Sequence, residues 1–167
     1  MPDVWHNKKE IVTVDQKLID KLKKSALRSP KKRARFCLHT HDKASVHEMI
    51  IAVARGTYVR PHKHVRKTES FHVIEGRFWL FIFDDKGRVI RKFKMGQKGK
   101  EKIFLYRCQK NIWHAIMPIT PFVVFHEVTP GPFVKNKSSQ FPAWAPGEDD
   151  LKGIKDFHNR LLKKCRS

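Results

Sequence analysis

Two histidines two positions apart, a glutamate shortly after them and a later histidine are the residues of this chain best suited to hold a metal. They lie in Gly56-Thr-Tyr-Val-Arg-Pro-His62-Lys-His64-Val-Arg-Lys-Thr-Glu69, a segment that closes on Ser-Phe-His-Val-Ile-Glu-Gly76. Along a strand His62 and His64 point to one face, and Glu69 can return on the next strand to meet them. His114, on a later strand, supplies a third imidazole. Three imidazoles and one carboxylate make a site for one divalent metal ion with positions left for water or substrate, and iron, manganese, nickel, zinc and copper all accept such donors. An ion held this way keeps net positive charge and attracts an oxygen-rich, anionic small molecule.

Other polar residues fall around this set. Tyr58 and Arg60 share strand parity with His62 and His64, so both are expected to project toward the same mouth. There Arg60 is a candidate clamp for a carboxylate or phosphate, and Tyr58 is the single candidate acid or base. His39 and His41 share a face and form a possible second polar cluster, with His39 a candidate substrate contact. His72 has the opposite parity to Glu69 and is expected to point outward, and His126 reads as a packed histidine of the last apolar strand. Lys63, Arg66 and Lys67 give the entrance a positive potential.

These residues must be carried by a β-rich scaffold. From Val46 onward the chain runs through VHEMIIAVA, TYVR, FHVIEG, RFWLFIF, RVIRKFK, EKIFLYR, NIWHAIM and PFVVFHEV, separated by turn residues, which predicts a sandwich or barrel. Asp84-Asp85-Lys86-Gly87 reads as a hairpin turn with Gly87 at positive φ. RFWLFIF is apolar on both alternating faces, so one face lines the interior and the other is covered by a helix or a second subunit, and a homodimer is expected. Upstream, Thr13 and Gln16 fit a capping box for a helix with apolar positions at Val14, Leu18, Leu22 and Ala26, ended by Ser29-Pro30. KKRARF then reads as a basic connector. The divisions are residues 1–36, helix and connector; 37–148, barrel with an extended segment; and 149–167, a basic tail whose acidic start and lysine-rich end fit a helix.

The spacing G-x5-H-x-H-x4-E-x6-G resembles the first cupin motif at every defined position. Gln109-Lys-Asn111-Ile-Trp-His114 departs from the usual P-x-G-x2-H of the second, although Asn111 can take the left-handed conformation in place of glycine. SPKKRARFCLHTH, GTYVRPHKH, EVTPGPF and FPAWAPGEDD together resemble the WbuC family of cupin-fold metalloproteins over roughly residues 13–150. The resemblance implies an all-β jelly-roll barrel with an N-terminal helix, a bound metal and a connection to lipopolysaccharide O-antigen sugar pathways. Where the family pattern has an Asn and a Gln-Arg pair before the barrel, this chain has Cys37 and His47-Glu48.

With 36 Lys and Arg against 16 Asp and Glu, the chain carries +20 and attracts anions in general. The charge is spread, and no recognition helix, RNP-like aromatic pattern or zinc finger points to specific nucleic-acid binding. Cys37, Cys108 and Cys165 lack CxxC spacing, which argues against a disulfide framework or a cysteine zinc site and for reduced thiols in the cytoplasm. No export signal or membrane span is read. Three functions remain open: a metal-dependent sugar-modifying enzyme of the isomerase or epimerase type, a metal-dependent sugar or metabolite sensor, and a polyanion-binding protein with a cupin core.

Overall fold

The computed structural model describes residues 3–134 and 138–166. In chain order its elements are β1 (Val4–His6), α1 (Gln16–Arg28), β2 (Arg33–Cys37), β3 (Val46–Ala54), β4 (Glu69–Glu75), β5 (Arg77–Phe83), β6 (Val89–Gly96), β7 (Leu105–Cys108), β8 (Trp113–Pro118), β9 (Phe122–Pro130) and α2 (Leu151–Arg166). One sheet has the strand order β1-β2-β3-β9-β4-β7 and the other β6-β5-β8. The expected barrel is therefore realised as two separately hydrogen-bonded sheets, jelly-roll in character. Apart from the parallel β1–β2 pair, the ladders are antiparallel.

Alternation along the strands sorts the apolar residues into three cores. Val53, Phe71, Val73, Phe78, Leu80, Ile116, Val123 and Phe125 meet in the largest cluster. Ala34, Phe36, Ile50, Ala52 and Val124 pack with Ile19, Leu22 and Ala26 of α1. Phe81, Phe83, Ala115 and Met117 pack with Phe157 and Leu161 of α2. The doubly apolar RFWLFIF run is thus explained, and of the two expected covers for its second face the structure shows the helix. Among the described residues no helix is long and apolar enough to cross a membrane.

Three local expectations need correction. The α1 N-cap is Asp15, whose carboxylate accepts from the Leu18 N–H at 2.8 Å, so the capping residue lies two positions after Thr13. The helix does stop at Ser29, whose N–H donates to the Ser25 carbonyl. Residues 33–36 of the basic connector, together with Cys37, form β2, with Ala34 and Phe36 packed under α1. TYVR forms no strand, because residues 57–60 bridge between β3 and the site without a ladder partner. The Asp84–Gly87 turn forms as expected: Gly87 has φ +78, and its N–H donates to the Asp84 carbonyl at 3.0 Å.

Candidate metal centre

The side chains of His62, His64, Glu69 and His114 offer four ligand atoms that all lie within 4.8 Å of one another. Glu69 is the first residue of β4 and His114 sits near the start of β8. His62 is tied to the β8 edge by two backbone hydrogen bonds: its N–H donates to the His114 carbonyl at 3.0 Å and it accepts from the His114 N–H at 2.9 Å. Asn111, at φ +66, makes the turn that the missing glycine would have made, and its N–H donates to the His64 carbonyl at 2.8 Å. The altered turn therefore still delivers His114.

The rings are oriented from behind. Nδ1 of His62 lies 2.9 Å from the Arg60 carbonyl, Nδ1 of His114 lies 2.9 Å from the Ile112 carbonyl, and Nδ1 of His64 lies 2.5 Å from the Ser138 carbonyl. A proton on each Nδ1 satisfies these carbonyls and turns each Nε2 toward the cluster, the arrangement metal-binding histidines use. Burial opposes charging of His114, but Glu69 beside it raises it well above its ordinary value, so a metal would displace its Nε2 proton. Glu69 meets two of these nitrogens, with Oε2 3.1 Å from His64 Nε2 and Oε1 2.9 Å from His114 Nε2. The Tyr106 hydroxyl donates to Glu69 Oε1 at 2.8 Å.

Despite that close approach, His114 Nε2 is buried without a hydrogen bond of acceptable direction among the described residues. An orphaned buried nitrogen is costly, and a cation placed between it and the carboxylate would satisfy both atoms. The residues present therefore fit a metal. Burial opposes ionisation of Glu69, but the charge of the adjacent His114 and the close approach of the His114 and His64 rings hold its carboxyl well below the ordinary range. Burial and the neighbouring His114 push His62 down to about 3, so its imidazole is neutral and available as a donor.

A cavity of about 680 Å³ contains all four residues in its lining and extends to His6, Arg33, Arg35, Cys37, His39, Arg60, Lys67 and Glu127. Arg60 lines this cavity. Its guanidinium lies 4.9 Å from the Phe141 ring centroid and one NH2 group reaches the Ala145 carbonyl at 3.4 Å. His39 lines the same cavity, stacked on His47 at 4.0 Å between ring centroids. Tyr58 does not share this placement. Its hydroxyl donates to the Pro146 carbonyl at 2.9 Å and its ring packs edge-on against Phe157 of α2. The parity argument fails at Tyr58 because residues 57–60 are not a strand, and burial pushes its hydroxyl up to about 12, which removes it as a base at the cavity. His72 is exposed, as its parity requires.

Lys67, expected at the entrance, lines the cavity; Arg35, Glu127 and Tyr106 also belong to the site, and the sequence reading missed them. Glu127 has the parity of Val123 and Phe125, whose side chains are buried in the central core, and this signal could have found it. Burial, with Glu69 nearby, pushes the Glu127 carboxyl up to about 8. A carboxyl raised in the folded state binds its proton more tightly there than in the unfolded chain. Its contribution to stability is full below the ordinary value of 4.5 and is lost as pH rises through about 8. In chelator, the melting temperature of Glu127→Gln minus that of wild type should therefore climb by several degrees between these two pH values and then level off. A difference that stays flat with pH would show that Glu127 ionises in the fold as it does in the unfolded chain.

A family model described as a domain of unknown function (DUF6016) matches residues 14–95, under half of the chain. No curated protein matches it. Among solved structures, Bacillus subtilis oxalate decarboxylase at pH 4.6 is similar with a TM-score of 0.50 at 16% identity, covering 65% of this chain and 27% of that one. A second oxalate decarboxylase structure, determined for its substrate binding mode and a reaction specificity switch, gives 0.51 at 15% identity, covering 65% and 28%. The cupin domain of Schizosaccharomyces pombe Cnp3 gives 0.46 at 14% identity, covering 59% and 64%. The chain spans about a quarter of the length of the oxalate decarboxylase chains. At these identities the likeness shows the fold, a cupin-type jelly roll.

Proposed function

We propose that this chain is a metal-binding cupin that holds one divalent ion on His62, His64, Glu69 and His114 and presents it to an anionic, oxygen-rich small molecule. The observation that carries the reading is the convergence of three carbonyl-oriented imidazoles on Glu69, with the His114 nitrogen buried and unpaired. Bound there, the ion would act as a Lewis acid toward a hydroxy-carbonyl or vicinal diol. The protein's own part is to hold the ligand's charge. Arg35 Nε and Arg60 Nε are both buried without partners among the described residues, and both side chains line the cavity. Guanidinium side chains lining a cavity fit a carboxylate or phosphate.

A sugar acid or sugar phosphate satisfies both halves of that description. Its assignment to surface polysaccharide synthesis rests on the sequence resemblance alone. The displacement of Tyr58 from the cavity removes the one acid or base that the sequence offered, and an enzyme reading would rest instead on Glu127, whose carboxyl lines the cavity and is raised to about 8.

The test is calorimetric titration of the metal-loaded chain with sugar acids, sugar phosphates and their neutral parent sugars. Anionic members should bind and neutral ones should not. Arg60→Gln should weaken anion binding by about 10- to 100-fold, the worth of one charge-assisted hydrogen bond. Equal affinity for neutral and anionic sugars, or an unchanged affinity in Arg60→Gln, would refute the anion-binding half of the reading.

A further inference from the structure

At another part of the cavity lining, His6, Cys37 and His39 also bring three ligand atoms within 4.8 Å of one another. None of them belongs to the centre described above. We propose that they form a second metal site, suited to a borderline ion such as zinc.

The positioning is specific. Parallel pairing of β1 with β2 sets His6 directly opposite Cys37. The next residue, the buried Asn7, fixes that register: its N–H donates to the Cys37 carbonyl at 2.8 Å and its side chain donates to the Leu38 carbonyl at 3.2 Å. His39 follows two residues after Cys37, with its Nδ1 accepting from the Glu48 N–H at 3.2 Å and lying 3.1 Å from the Glu48 carbonyl, and its ring face stacked on His47. Nδ1 is thus held by the Glu48 backbone, which leaves Nε2 as the nitrogen for the metal. His6 Nε2 stands 3.2 Å from Asp42 Oδ1, so a carboxylate is in place either to orient His6 or to serve as a fourth donor. The site thus has ligands, orienting partners and access from solvent through the cavity.

Its chemistry differs from that of the first centre. Two imidazoles with one thiolate favour zinc, cobalt or copper over magnesium, calcium or manganese, which prefer oxygen. Cys37 is 3% exposed, and burial pushes its thiol up to about 11, so it carries a proton until a cation displaces it. Binding replaces the S–H bond with an S–metal bond, and one proton leaves to solvent for each ion bound, with no change in oxidation state. The cysteine spacing in the sequence argues against a zinc site because it registers only neighbours along the chain. The β1–β2 pairing supplies the missing ligand from 31 residues away.

The test uses the full chain, stripped with chelator, kept reduced with a phosphine and titrated with Co(II). Two equivalents should bind, and one should bring a near-ultraviolet thiolate-to-cobalt charge-transfer band that a site of three imidazoles and a carboxylate cannot produce. Zinc should abolish that band. Cys37→Ser should lose the band and one equivalent while keeping the other, whereas Glu69→Gln should keep the band and lose the other equivalent. Failure of the first centre is thereby separable from failure of the second. His6→Ala, a change at a partly exposed ring, should raise the cobalt concentration needed for the band at least about 10-fold. No sulfur–cobalt band in wild type at saturation, or a band that survives in Cys37→Ser, would overturn the proposal.

Discussion

Glu69→Gln should leave the protein with one equivalent of divalent metal fewer per chain than wild type after dialysis. Glu69 is 2% exposed and is the only carboxylate in the cluster of four. With it, a divalent ion would be reduced to a net single positive charge in a buried site. Without it, the full double charge would rest on three neutral imidazoles, and its desolvation would be poorly offset. The amide can still accept from the Tyr106 hydroxyl, so the substitution removes charge with little change in shape. Orienting partners of metal ligands are worth about 10- to 100-fold in affinity, and a charged ligand itself should cost at least the upper end of that range.

The same substitution should erase a thermal effect. A ligand present at 100 times its dissociation constant stabilises the fold by about 2.7 kcal/mol. For a chain of this size that corresponds to about 5–10 °C of melting temperature. Wild type should lose that margin when chelator is added, and Glu69→Gln should lose none of the part contributed by this centre. His72→Ala, at an exposed ring outside the cavity, serves as the control and should retain both the metal and the margin. Undiminished metal content in Glu69→Gln would mean that the ion, if held, is held elsewhere.

Most of what positions this centre was legible because it is local in sequence. His62, His64 and Glu69 sit within one stretch, and strands β3, β5 and β9 announce themselves by composition and alternation. The basic side of the cavity was hidden for a physical reason. In β2, Arg33 and Arg35 alternate with Ala34 and Phe36, the usual sign of a strand with one face in water. Here the arginine face lines the cavity that holds the site, so the pattern is that of a half-exposed strand while the arginines line the interior. The pairing of β1 with β2 was hidden as well. A three-residue strand has too few residues to show a period, and its partner lies beyond an intervening helix. Tyr58 failed for the opposite reason, since a period of two was applied where no ladder exists to enforce it.

The glycine that closes the histidine and glutamate motif makes a different kind of prediction, because it does no chemistry. Gly76 has φ +82, and a Cβ built there would overlap the Phe122 carbonyl oxygen and come within 2.6 Å of Thr120 Oγ1. It stands between β4, which begins with Glu69, and β5. Its own N–H donates to Gln97 Oε1 at 3.2 Å, and the N–H of the next residue, Arg77, donates to Thr120 Oγ1 at 2.8 Å. The obstacle is therefore backbone and a hydrogen-bonded side chain, neither of which can move without opening the corner between the sheets. Left-handed backbone alone costs a residue with a Cβ about 1–2 kcal/mol. Displacing the Phe122 carbonyl should bring the total for Gly76→Ala to about 3–5 kcal/mol, a fall in melting temperature on the order of 10 °C. Gly99 separates the two contributions. It has nearly the same backbone, φ +83, with nothing within 4 Å of a built Cβ, so Gly99→Ala should show only the conformational part. Equal losses in the two variants would show that the Phe122 carbonyl yields easily and that the motif needs glycine for its backbone angle alone. A much larger loss at Gly76 would mean that the corner closed by this residue sets the approach of β4 to β5, and with it where Glu69 enters the centre.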